Sequence, residues 1–166
     1  ILQTENAVAD ELAELTKSYW QEEKIRVDIC FYAKSSEFNL RNRPYNPLNP
    51  VHIMMNACPG ADEPRGNWLE LLYHEASHNL IGSRTGFVAG TILDVARQLD
   101  QKPPRSLWHA YLFYFSGVVT QKALVENGNS DYKLYMIRNK VFSRYFPYLD
   151  KHLSEYIHGN SSLHDA

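Results

Sequence analysis

The chain has 166 residues, 44% of them hydrophobic, which suits one globular domain spanning 1–166 and leaves little room for a second. A formal net charge of -2 with scattered basic residues gives no electrostatic footprint for nucleic acid or an anionic membrane. No apolar run approaches the roughly 20 residues of a membrane span, the longest stretch being broken by Trp108, His109 and several tyrosines.

Over residues 4–20 the apolar side chains Ala7, Val8, Leu12, Leu15 and Tyr19 recur at helical steps, with Thr4 as the N-cap. Residues 25–31 alternate apolar with polar and are rich in β-branched types, which predicts a strand with one face buried, and 51–56 predicts a second. Between them, 34–50 is dense in Asn, Arg and Pro without periodicity and reads as a surface loop. Beyond a turn-rich stretch at 58–66 the remainder reads as helical. Asn67 caps a helix over 68–81 that stops at Gly82, and another follows over 87–99. Pro103-Pro104 supplies the first turn of a long apolar helix that ends at Gly128. Two shorter helices at 132–145 and 147–157 complete the chain. The expected class is α+β, mostly helical, with a small N-terminal sheet ahead of a helical C-terminal half and with no internal repeat.

The sequence opens at Ile1 rather than Met, which reads as a processed or excised chain, so localisation stays open, secretion and the periplasm included. Cys30 and Cys58 are too few for a disulfide framework and wrongly spaced for a structural zinc site. They either pair in an oxidising compartment or remain buried thiols.

The chemistry-bearing segment is His74-Glu75-Ala76-Ser77-His78. Histidines four residues apart on a helix project from one face, so His74 and His78 can offer imidazole nitrogens to one metal without distorting the backbone. Glu75 points partly to the same side, within reach of a proton on a metal-bound water, which is the geometry of a general base. Leu69, Leu71, Leu72, Ala76, Leu80 and Ile81 mark this helix as mostly buried. Two imidazoles and a carboxylate buried there need partners, because each unpaired group costs about 1–3 kcal/mol. A metal supplies them; a hydrogen-bonded core histidine pair is the alternative.

This segment resembles the active-site helix of the zincin metallopeptidases, in which the two histidines bind zinc and the glutamate activates water. The order of strands before the helix is also similar to the zincin layout. The resemblance implies Zn2+ as cofactor, a zincin-like fold and a peptide or protein substrate. A catalytic zinc takes a third protein ligand and keeps one position open. The metzincin pattern would place glycine at Ile81 and histidine at Arg84, and neither is present. His109 is the first choice, on an otherwise apolar helix. The stretch from His109 to Phe113-Tyr114 also resembles one in a poorly characterised bacterial zincin-like group, from which Phe115 departs where a small polar residue is expected. Glu126 follows the gluzincin pattern of a downstream glutamate. Asp94 closes a segment, Gly90-Thr91-Ile92-Leu93-Asp94, that resembles the aspzincin Gly-Thr-x-Asp with one residue too many. Whichever carboxylate is not a ligand can orient a ligand histidine. Tyr114 is the candidate for stabilising an oxyanion at the open position. His52, His152, His158 and His164 have no ligand spacing.

The leading expectation is therefore a zinc metallopeptidase or related hydrolase with Glu75 as general base. The competing one is a zincin-like metal-binding or regulatory domain without hydrolytic activity. Substrate specificity and oligomeric state are not legible.

Overall fold

The structure, a computed structural model, describes residues 4–20, 24–31, 37–38, 52–56, 64, 66–81 and 86–166. In chain order the elements are α1 (Glu5–Leu15), β1 (Arg26–Cys30), β2 (Glu37–Phe38), β3 (His52–Asn56), α2 (Asn67–Ile81), α3 (Phe87–Gln98), α4 (Leu107–Glu126), α5 (Tyr135–Arg138) and α6 (Phe146–Ile157). The class is α+β and mostly helical, as expected. The sheet has the order β1-β3-β2, with β1 parallel to β3, Arg26 opposite His52 and Cys30 opposite Asn56. β2 runs antiparallel to β3 on its other side.

Helix α4 lacks a polar face. Ala110, Leu112, Tyr114, Phe115, Gly117, Val119 and Ala123 are all buried, which places it at the centre of the bundle against α1, α2, α3, α5 and α6. Among the described residues no helix is long and apolar enough to cross a membrane. Helix α2 lies between two layers. Its Leu72 and Ala76, one turn apart, pack with Ile53 and Met55 of β3, while Tyr73, Leu80 and Ile81 join the main core with α4 and α1. The helix carrying His74 and His78 is thereby covered on both sides, and the histidines face α4 rather than solvent.

The elements depart from the sequence pattern at several points. The first helix ends at Leu15, because Lys17 adopts a left-handed φ of 47° and Thr16 Oγ1 donates back to the Leu12 carbonyl. Tyr19 consequently lies outside it and is 80% exposed. Thr4 occupies the cap position but its side chain makes no capping bond. The face of β1, an edge strand, is not buried along its length: Val27 is half-buried, whereas Ile29 is exposed. Within the stretch read as a loop, residues 37–38 form β2; residues 34–36 and 39–50, like residues 58–63 and 65 of the turn-rich stretch, lie outside the described residues. Asn67 is the first residue of α2 rather than its cap, and its side-chain oxygen accepts from Arg138 Nη2. Pro103-Pro104 precedes α4, which starts at Leu107, instead of supplying its first turn. The helix expected over 132–145 shrinks to the single turn of α5, since Lys140 and Phe142 take left-handed φ values of 54° and 52° that a helix cannot continue. Gly82, Arg84 and Cys58 lie outside the described residues. Cys30, the other cysteine, is a free thiol.

Candidate metal centre

His74 and His78 stand one turn apart on α2, with ring centroids 5.1 Å apart. His109, in the first turn of α4, puts its ring 5.2 Å from that of His74 and 5.1 Å from that of His78, so the three rings form a nearly equilateral triangle. One ligand atom from each lies within 4.8 Å of the others. Nε2 of His109 and Nε2 of His74 are 3.2 Å apart. A tetrahedral zinc with bonds of about 2.0–2.1 Å holds its nitrogens about 3.3 Å apart, so this pair already has ligand spacing. Among the described residues no fourth His, Cys, Asp or Glu joins the cluster at that spacing.

The electrostatics agree with the geometry. Burial holds His74 well below the ordinary 6.5, with repulsion from His78 and His109 adding to it. Burial, then His109, holds His78 down to about 4, and burial lowers His109 as well. All three imidazoles are therefore neutral at pH 7, the form with a lone pair for a metal. Three neutral donors converging from two helices fit a borderline-soft divalent ion such as zinc. Glu75 is 8% exposed, and its Oε2 lies 3.9 Å from His78 Nε2, beside the cluster rather than within it.

Aromatic rings enclose the imidazoles. Phe113 stacks on His74 at 3.8 Å and 27°, Trp108 stacks on its neighbour His109 and meets His78 edge-on at 5.9 Å, and Phe142 meets His109 edge-on at 5.6 Å. Such walls exclude water and keep the imidazoles uncharged. Nδ1 of His74 is buried without a hydrogen-bond partner among the described residues.

The structure brings His109 to the His74–His78 pair and sends the other candidates elsewhere. Asp94 is exposed on α3 and paired with Arg97 at 2.7 Å. Glu126 is exposed at the far end of α4, about 25 Å along the helix axis from His109. Tyr114 is buried, but its hydroxyl donates to Asp150 Oδ1 on α6 at 3.1 Å and its ring lies beside Phe146, so that hydroxyl is engaged away from the imidazoles. His52 stands 4.0 Å from Asp28, His152 and His158 are exposed, and His164 bonds Gln98.

Sequence reasoning missed Glu70, which is fully buried one turn before His74. Burial raises its carboxyl to about 6 against the lowering effects of hydrogen bonds from Tyr132 and Tyr135 and of the Arg138 charge. A carboxylate four residues before the first histidine of the motif, in an apolar helix, was the available signal. No family model, curated protein or solved structure matches the chain.

Proposed function

We propose that the protein is a zinc-dependent hydrolase of the zincin type, cleaving amide bonds in a peptide or protein, with His74, His78 and His109 as metal ligands and Glu75 as general base. The observation that carries this reading is the convergence of three neutral imidazoles from α2 and α4 with Glu75 beside them. Zinc bound there would acidify water and polarise a carbonyl. The chain's own contribution is to hold the ligands uncharged, to exclude bulk water with Phe113, Trp108 and Phe142, and to take up a proton on the Glu75 carboxylate for delivery to the leaving nitrogen. Three protein ligands leave the fourth position of a tetrahedral ion for substrate chemistry, as catalytic sites require.

Purified protein should carry close to one zinc per chain. Glu75→Gln should retain it while peptide hydrolysis falls by about 10²–10⁴-fold, the range for loss of a general base. Loss of zinc in Glu75→Gln would reassign Glu75 to the metal's support. One observation favours the second reading, a metal-binding domain without hydrolysis: the close aromatic packing on all three imidazoles, which suits a structural site as well as a catalytic one. Full zinc occupancy with no turnover on a diverse peptide library would decide for it.

A further inference from the structure

In a metal site built on histidines, the ring nitrogen away from the metal ordinarily donates to a carboxylate or carbonyl that fixes the ring's orientation. His74 has no such partner among the described residues, although its Nδ1 is buried. What holds the ring is Phe113, stacked on it at 3.8 Å. Phe113 is in turn backed by the ring of Tyr135, nearly parallel at 12° with centroids 6.1 Å apart. Tyr135 is tied down through its backbone, whose N–H donates to both Glu70 oxygens at 2.9 and 3.1 Å.

Glu70 is the meeting point of three elements. From α2 it also accepts the Tyr132 hydroxyl at 2.5 Å, and the Arg138 charge acts on it while the same guanidinium donates to Asn67. On the α4 side it rests against Gly117, where a Cβ would come within 2.9 Å of Glu70 Oε1. An ionised carboxylate accepts from every donor that faces it, which a neutral amide cannot do.

We propose that Glu70 is a positioning residue of the three-histidine centre: its buried carboxylate pins residues 132–138 onto α2, and through the Tyr135–Phe113–His74 stack it sets the orientation of the His74 imidazole. The inference rests on the metal-centre reading above. A purely structural role for Glu70 would cost stability without changing the His74 ring or the metal's environment.

The test compares wild type, Glu70→Gln and, as a control, Tyr114→Phe, which removes a hydrogen bond on α4 that points to Asp150 instead of to the histidines. Imidazole nitrogen resonances are recorded by NMR in the metal-free proteins, and each is titrated with cobalt(II), whose visible absorption reports ligand geometry. Glu70→Gln keeps one acceptor oxygen for the Tyr135 N–H, turns the other contact into an amide that can only donate to the Tyr132 hydroxyl, and removes the charge facing Arg138. The His74 resonances should therefore move, cobalt should bind about 10- to 100-fold more weakly and its spectrum should change. Tyr114→Phe should leave all three readouts as in wild type. If Glu70→Gln fails to fold, Tyr132→Phe removes one donor from the carboxylate while leaving the ring stacked on His74 in place, and should move the His74 resonances and the cobalt spectrum in the same direction. Unchanged His74 resonances and cobalt affinity in Glu70→Gln, or in Tyr132→Phe where Glu70→Gln does not fold, would overturn the proposal alone, as would equal changes in Tyr114→Phe. Failure of wild type to bind cobalt would overturn the metal-centre reading and this proposal with it.

Discussion

Lowering the pH on the metal-free protein perturbs the buried imidazoles directly, and the sign follows from their burial. Each of the three titrates lower in the folded chain than in the unfolded one, so below the ordinary 6.5 the unfolded chain binds more protons and stability falls with pH. For His78, held down to about 4, the loss between about pH 7.5 and about pH 5 is roughly 2 kcal/mol, and His74 and His109 add to it in the same direction. Glu70 opposes them. Its carboxyl is raised from 4.5 to about 6, so the folded chain binds the extra proton and gains stability as pH falls, by roughly 1 kcal/mol at about pH 5. The net expectation is a loss of more than about 1 kcal/mol. Urea unfolding with a chelator present, followed by the fluorescence of Trp20, Trp68 and Trp108, measures it at several pH values. His78→Gln should remove about 2 kcal/mol of the acid-induced loss. Equal stability at both pH values in wild type, or the same pH slope in His78→Gln, would show that burial does not hold these imidazoles down.

Two further outcomes follow from the packing. Gly117→Ala gains about 0.5–1 kcal/mol of helix propensity but drives a Cβ to 2.9 Å from Glu70 Oε1 and 3.1 Å from Leu134, both of which are held in place. Overpacking of this kind costs about 1–3 kcal/mol, so a net destabilisation of about 1–2 kcal/mol is expected in urea unfolding; a stabilised variant would show that the α2–α4 contact yields. His109→Ala should lower zinc affinity by at least about 10-fold, whereas Asp94→Ala and Glu126→Ala, both at exposed positions, should leave it unchanged in competition with a chelating dye. Loss of zinc in either carboxylate variant would move the third ligand.

What was legible in the sequence was local. His74, Glu75 and His78 share a helix face because the α-helical repeat puts them there, and their apolar neighbours Leu72, Ala76 and Leu80 say that this helix is buried. The long apolar helix and the helical C-terminal half followed from the same kind of pattern. Local pattern failed where the backbone takes a special conformation, as at Lys17, Lys140 and Phe142, none of them a residue type that signals a left-handed turn.

Tertiary structure decided which residues meet. A helix with a polar stripe announces which side faces the core, but α4 has none over residues 107–120, so its rotational phase there is set only by the helices packed against it. That phase turns His109 and Phe113 toward α2 and carries Tyr114, about 100° further round, to Asp150 on α6. The same packing puts His109, and neither Asp94 nor Glu126, beside His74 and His78, a placement that motif spacing alone left open. It also buried Glu70, whose partners Tyr132 and Tyr135 lie more than sixty positions away in the chain. Spacing along a helix fixes two imidazoles on one face, because the backbone repeat does it. Bringing the third imidazole to them and holding the rings in place depends on side chains from α4 and residues 132–142, which only the folded chain brings together.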